Sequence, residues 1–268
     1  NASGLVNAVL RNAVRTKGSL KEPTSWEDKY SHPGELINLL KVYVGKERLE
    51  PMLRANNAVA PMTVQVNTLR ITPEALRERL ETEGVTAESH PWLSDCLILS
   101  GTGNIEQLPG FQEGLFYVQD AAARLSVLCA QLPTDARVLD CCAAPGGKST
   151  HALSLLPEGS LFVANEPVPM RAGVLAENII KWGSPCAVVT RNEPADFAPF
   201  KEFFDVIIVD APCSGEGMFR KDARAVSMWS PANVKNCVAR QRTILTDIWG
   251  SLRPGGLLVY STCTFNPH

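Results

Sequence analysis

The chain has 268 residues, 45% hydrophobic and 20% charged, with a formal net charge of −2, which is the texture of one large globular domain or two small ones. It is long enough to bury a core without disulfide or metal staples. No apolar run reaches the ~18 residues of a membrane-spanning helix, and Asn1–Val14 lacks the basic leader and continuous apolar stretch of a signal peptide.

The charge is unevenly spread: residues 1–70 carry net +4, 71–135 net −7 and 136–268 net +1. Leu5 to Val14 reads as a short helix and Lys17 to Ser31 as a polar linker. Helical patterns follow over Glu35–Val44 and Glu47–Asn56, closed by Ala60-Pro61. Thr63–Asn67 alternates like a strand. Thr72 and Pro73 make an N-cap and first-turn pair for a helix that stops by Gly84. Cys96–Leu99 and Leu115–Val118 read as strands, and Asp120 caps an Ala-rich helix to about Ala130. This much is a small α+β module.

From Arg137 the pattern alternates β and α. Strands are expected at Val138–Asp140, Leu161–Ala164, Ala187–Val189, Asp205–Asp210 and Leu257–Tyr260, the last preceded by Gly255-Gly256. Helices are expected over Ser149–Leu156, Met170–Trp182 and about Pro231–Leu252, with a loop before the last. Five strands joined by helices make a doubly wound α/β sheet.

Eight cysteines lie at 96, 129, 141, 142, 186, 213, 237 and 263. None forms C-x-x-C or a His/Cys cluster, so no zinc or other metal site is expected. Without a secretory signal the thiols suit a reducing, cytoplasmic compartment, and most read as small core residues.

The first strand of the sheet runs into Asp140-Cys141-Cys142-Ala143-Ala144-Pro145-Gly146-Gly147-Lys148-Ser149, where small residues and a helix N-terminus can cradle a cofactor. Gly147-Lys148-Ser149 resembles half of a phosphate-binding P-loop, but Cys142 stands where that motif needs glycine. Glu166 ends the second strand, placed to accept hydrogen bonds from ribose hydroxyls, and Glu193 follows the third toward an adenine. Cys213 follows the fourth strand and Cys263 the fifth. Those strands are neighbours ~4.8 Å apart, so both thiols face the crevice at their carboxyl ends.

Residues 138–267 resemble the catalytic domain of the Sun/Nop2/NSUN family of RNA 5-methylcytosine methyltransferases. The segments are CCAAPGGKST, VANE, FDVIIVDAPCSGEGMFRK and GGLLVYSTCTFNP. Upstream, YSHPGELINLL, ANNAVAPMTVQVNTLR and GLFYVQDAAARL resemble the RNA-binding module of the bacterial Sun-type (RsmB-like) ribosomal RNA enzymes, and GLVNAVLRNAVR the last helix of their NusB-like domain. The resemblance implies a Rossmann-like class I methyltransferase sheet over 133–268, an α+β RNA-binding module over 32–132, and a helical remnant and linker over 1–31. It implies S-adenosylmethionine as cofactor and ribosomal RNA as partner, with transfer RNA the alternative substrate.

Carried over residue by residue, the resemblance makes Cys263 the nucleophile that adds to cytosine C6 and Cys213 the thiol that releases the methylated product. Asp210 stabilises the charged intermediate and Lys148 supports it. Cys142, Ala143, Ala144, Pro145, Gly146, Gly147, Lys148, Glu166, Glu193 and Asp210 contact the cofactor.

The chain departs from the pattern in three respects. Cys141 stands where the family often has Leu, and Glu193 where it usually has Asp. GEGMFRK and WSPANVKNCVARQ resemble the RsmF-like branch more than the Sun-type one. Arg220, Lys221 and Arg224, with Lys235, Arg240 and Arg242 on the long helix, are candidates for an RNA groove. Phe219 and Trp229 are candidates to stack on a base that must be unpaired or flipped out. Two other classes fit parts of the chain: a P-loop-like NTPase, which leaves Cys263 unexplained, and an RNA-binding protein with a dead catalytic fold, which leaves the cysteine pair unexplained. A monomer is the default. The start on Asn1 and the stop soon after Cys263 lead us to expect a fragment whose fifth-strand edge is open and apolar.

Overall fold

The computed structural model describes residues 3–19 and 21–266. It opens with α1 (Ser3–Arg15), whose Leu5, Val6, Val9, Leu10 and Val14 are all exposed. The expected linker is partly helical instead: Lys17–Ser19 forms a 3-10 turn and Trp26–Tyr30 forms α2. The hidden signal is Ser25, whose hydroxyl accepts the Asp28 amide at 3.0 Å as an N-cap. α3 (Gly34–Val44) and α4 (Lys46–Asn56) follow, burying Leu36 and Leu40, and Leu49 and Leu53.

The described residues up to 58 belong with 215–231 and 265–266 in one compact unit. Inside it the Phe219 ring meets His32 edge-on at 5.7 Å, and Trp229 Nε1 donates to Glu216 Oε1 at 2.9 Å. Residues 59–214 and 232–264 form the other unit.

That second unit begins with β1 (Met62–Val66), α5 (Pro73–Glu81), β2 (Thr86–Ser89), β3 (Cys96–Ser100) and β4 (Phe116–Val118). The sheet order is β2-β3-β1-β4, antiparallel throughout. Thr72 caps α5 by accepting the Ala75 amide at 3.2 Å. Val64, Val66, Leu76, Leu80, Leu97 and Phe116 fill the space between α5 and the sheet. The expected Ala-rich helix is a 3-10 turn over Ala121–Arg124, then α6 (Leu125–Cys129). Asp120 does accept the Ala122 amide, and the tighter turn carries Arg124 into full burial against Asp95.

The parallel sheet comprises β5 (Arg137–Asp140), β6 (Leu161–Asn165), β7 (Ala187–Thr190), β8 (Phe204–Asp210) and β9 (Leu252–Ser261), in the order β7-β6-β5-β8-β9. Its helices are α7 (Gly147–Leu155), α8 (Pro169–Trp182) and α10 (Pro231–Trp249). Between β8 and α10, where a loop was expected, the first unit contributes α9 (Ala223–Met228), capped by Asp222 accepting the Arg224 amide at 2.9 Å. Side chains alternate across the sheet with period two. Val138, Phe162, Val206 and Ile208 pack with Leu175, Ile179 and Trp182 on one face. Leu139, Ile207 and Val209 pack with Ile244 and Ile248 on the other. Burial on both faces is why β8 reads as an unbroken apolar run.

Gly255-Gly256 lies inside β9 and does not precede it. The register jumps from Phe204↔Leu252 to Val206↔Leu257. Gly255 has φ +75, and a Cβ on Gly256 would sit 2.9 Å from the Asp205 carbonyl. The doublet therefore lets the strand bulge and resume pairing. β9 is the edge of the sheet, with Leu257 42% and Tyr260 44% exposed. No helix among the described residues is long and apolar enough to cross a membrane.

Gly114 shows how closely the two sheets of this unit are joined. It has φ +70, and a Cβ there would fall 2.1 Å from the Lys181 carbonyl oxygen. Buried Asn67 donates to both Gly114 O (2.7 Å) and Trp182 O (2.9 Å) across the same approach. Gly114→Ala is therefore expected to destabilise the protein by about 2–4 kcal/mol, through a disfavoured left-handed torsion and a clash with backbone. An unshifted urea-unfolding midpoint would contradict this.

Candidate active site

The first turn after β5 is held from both sides by side chains. Asn178 Nδ2 donates to Pro145 O at 2.8 Å, and Arg171 Nη2 to Ala144 O at 3.0 Å. Gly146 enters α7 at φ +116, where a Cβ would press on Leu175. A Cβ on Gly147 would lie 3.1 Å from Gln119 Nε2 and 3.2 Å from Tyr117 Cε1, so this glycine admits the antiparallel sheet. Buried Asn165 ties the strand ends together. Its amide nitrogen donates to Cys141 O and Asn192 O, and its oxygen accepts from Thr190 Oγ1 and the Asn192 amide.

Beyond these ends lies a cavity of about 760 Å³. Of the ten expected cofactor residues, Cys142, Ala144, Glu166, Glu193 and Asp210 line it; Ala143, Pro145, Gly146, Gly147 and Lys148 do not. Glu166 is buried, accepting the Val168 amide at 3.0 Å and pairing with Arg171 at 3.1 Å. Glu193 is exposed, its amide bonded to Asp196 Oδ2 at 2.9 Å. The sequence reading missed Arg171 and Asp247. Both sit on amphipathic helices, where a charged residue gives no sign of which neighbour it faces.

Asp210, at the end of β8, has both oxygens engaged. Lys148 Nζ lies 2.8 Å from Oδ2, and Ser261 Oγ donates to Oδ1 at 3.1 Å. Asp210 and Ser261 are register partners in β8 and β9. Three residues on from Asp210 and two on from Ser261 stand the two cysteines, with Sγ atoms 3.1 Å apart. Ser214 Oγ and Thr264 Oγ1 are 3.3 Å apart just beyond. Cys213 lines the cavity and Cys263 is exposed. None of the eight cysteines is in a disulfide, and only Cys96 and Cys141 are buried, so most are not the core residues expected. Phe219 and Trp229 are buried with protein partners, His32 and Glu216, and do not present a stacking face. Arg240 lines the cavity, Lys235 and Arg242 are exposed on the same helix, and Arg224 pairs with Asp222 at 3.0 Å. Among the described residues, no three His, Cys, Asp or Glu side chains cluster as metal ligands.

Under Lys148 and Asp210 lies Asp140, fully buried. Burial pushes its carboxyl up to about 7; the Ser149 hydroxyl donating at 2.7 Å and Lys148 oppose the shift, and Asp210 adds to it. Between its ordinary value of 3.8 and about 7, the folded protein holds a proton that the unfolded chain has released. Stability therefore falls across that window as pH rises, by a few kcal/mol, and is level above it. Asp140→Asn should lack this slope. Unfolding measured at pH 5 and pH 8 checks it, and a difference between the two proteins that does not change with pH would refute the assignment.

A family model described as 16S rRNA methyltransferase RsmB/F matches residues 127–268. The chain belongs to the RsmB/F methyltransferase family. A second model, the RsmF/B-like ferredoxin-like domain, matches residues 32–106. The ribosomal RNA small subunit methyltransferase B of Vibrio cholerae is 36% identical over 267 residues, 98% of this chain and 61% of that protein. The F enzyme of Pectobacterium carotovorum is 37% identical over 242 residues, 87% of this chain and 50% of that protein. This RsmB/F chain thus spans about three-fifths of the B-type relative and half of the F-type one. A methyltransferase homologue from Pyrococcus horikoshii shares the fold, with a TM-score of 0.77 at 25% identity over 90% of this chain and 76% of that one. The Rossmann-like methyltransferase sheet with a ferredoxin-like module before it is the architecture of the family.

Proposed function

We propose that this RsmB/F chain methylates C5 of a cytosine in small-subunit ribosomal RNA, with S-adenosylmethionine as methyl donor and a covalent bond from Cys263 to cytosine C6. The observation that carries the reading is the pair of thiols 3.1 Å apart at the ends of neighbouring strands, beside the Lys148–Asp210 pair. We assign residues 133–268 to catalysis, 32–132 to RNA binding and 1–31 to the edge of a helical domain, and we place the reaction in the cytoplasm.

The cavity suits the cofactor in size and donor set. It is ~760 Å³, and a buried carboxylate, Glu166, is fixed by Arg171 and a backbone amide where ribose hydroxyls need an acceptor. Glu193 reaches the same space from the end of β7. When bound, S-adenosylmethionine supplies an electrophilic methyl group.

The residues of the chain do the rest. Cytosine C5 is a weak nucleophile. The Cys263 thiolate adds to C6 as N3 takes up a proton from solvent, leaving a neutral enamine whose electron pair makes C5 nucleophilic; methylation then leaves positive charge on the N3–C4–N4 edge. Asp210, steadied by Ser261 and Lys148, faces the pyrimidine edge and stabilises the charge that develops there. After methylation the Cys213 thiolate takes the C5 proton, the double bond re-forms, the S–C6 bond breaks to return Cys263 as its thiolate, and N3 gives its proton back to solvent. The base must leave its stack to reach Cys263, and Arg240 with Lys235 and Arg242 offers phosphate contacts on α10.

The test is labelled S-adenosylmethionine with purified small-subunit ribosomal RNA or transfer RNA, followed by nucleoside analysis. Labelled 5-methylcytidine from the ribosomal RNA supports the reading. Label confined to transfer RNA moves the substrate. Label on another base overturns the chemistry.

A further inference from the structure

We propose that Gln241 is a positioning residue for Cys213, fixing the peptide that carries that thiol so that it can complete product release. The inference rests on the reading above, in which Cys213 acts after Cys263. Gln241 lies on α10 and is 8% exposed. Its Nε2 donates to the Pro212 carbonyl at 2.9 Å, and its Oε1 accepts from the Tyr260 hydroxyl at 2.8 Å.

Pro212 immediately precedes Cys213. Its ring fixes φ, so ψ is its one soft backbone torsion. That torsion swings the Pro212 carbonyl and the Cys213 amide together, and with them the direction of the Cys213 side chain. A hydrogen bond on the carbonyl locks it. Tyr260 sits on β9, three residues before Cys263, so Gln241 joins the turn that carries one cysteine to the strand that carries the other.

The direction of the relay is set by its donors. The Pro212 carbonyl only accepts, so the amide nitrogen must face it and the amide oxygen must face Tyr260. The tyrosine proton is secure, because burial and the neighbouring Cys213 raise the Tyr260 hydroxyl above its ordinary value. Cys263 does not depend on this relay. Its strand is fixed by the Asp210↔Ser261 pairing and the Ser261–Asp210 hydrogen bond. Loss of Gln241 should therefore slow release and spare capture.

The experiment follows the denaturant-stable protein–RNA complex in the full chain, its rate of appearance and its rate of decay. Gln241→Leu keeps the volume and loses both hydrogen bonds. Gln241→Glu keeps the shape and the Tyr260 bond but loses the donor to Pro212, and it serves should the Leu variant not fold. Cys213→Ala and Cys263→Ala are the controls. Decay should slow by roughly tenfold or more in both Gln241 variants, and appearance should change little. A complex trapped by Cys213→Ala but turned over at the normal rate by both Gln241 variants overturns the positioning role alone. Equal slowing of appearance and decay assigns Gln241 to general packing and overturns it too. If Cys213→Ala traps nothing, the functional reading fails and this inference falls with it.

Discussion

Cys263→Ala is expected to abolish methylation, by at least ~10⁴-fold, with no covalent protein–RNA complex formed. The size follows from the chemistry. Without a bond to C6, C5 has no electron pair to offer, and positioning or electrostatics cannot substitute for it. The fold should survive, because Cys263 is exposed and a small truncation there opens no core cavity. Cofactor affinity should also survive, because Cys263 lies outside the cavity lining. Equilibrium dialysis against S-adenosylmethionine, alongside the activity assay, separates a lost nucleophile from a lost fold.

The second large effect is expected at Asp210. Asp210→Asn keeps the shape and removes the charge that balances Lys148 and the developing cation on the base. Removing one preorganised electrostatic partner of this kind costs roughly 10²–10³-fold in rate. The Lys148 side chain is only 14% exposed, so its ammonium would be left poorly solvated and without its carboxylate, which adds a stability cost. Lys148→Met in the Asp210→Asn background should recover part of that stability and none of the rate. Additive stability losses for the two changes would mean that the 2.8 Å pair is not energetically coupled.

Much of this site was legible because topology does the placing. Once the runs around Val206–Asp210 and Leu257–Tyr260 are read as neighbouring parallel strands, a cysteine just past each must fall on the same edge. The 3.1 Å contact is that expectation in atoms. Glu166 was legible for the same reason, as an acid at a strand end.

What failed were local signals overridden by packing. Gly255-Gly256 looks like punctuation and is a bulge shaped by the Asp205 carbonyl. β2 is nearly invisible, because of its residues only Ala87 is buried, and its pairing is dictated by β3. Phe219 and Trp229 look like stacking platforms because they sit in a basic loop, yet each has a partner within its own unit. Gln241 and Arg171 could not be read at all. A helical position says which face a residue is on, not which carbonyl or carboxylate waits there.

The mechanism turns on which sulfur holds the base. The most direct measurement is tandem mass spectrometry of the complex that Cys213→Ala accumulates on small-subunit ribosomal RNA in the presence of S-adenosylmethionine. One cross-linked peptide is expected, with C5-methylated cytosine attached through C6 to Cys263. A cross-link at another cysteine, or full methylation by Cys263→Ala with no complex at all, would contradict it.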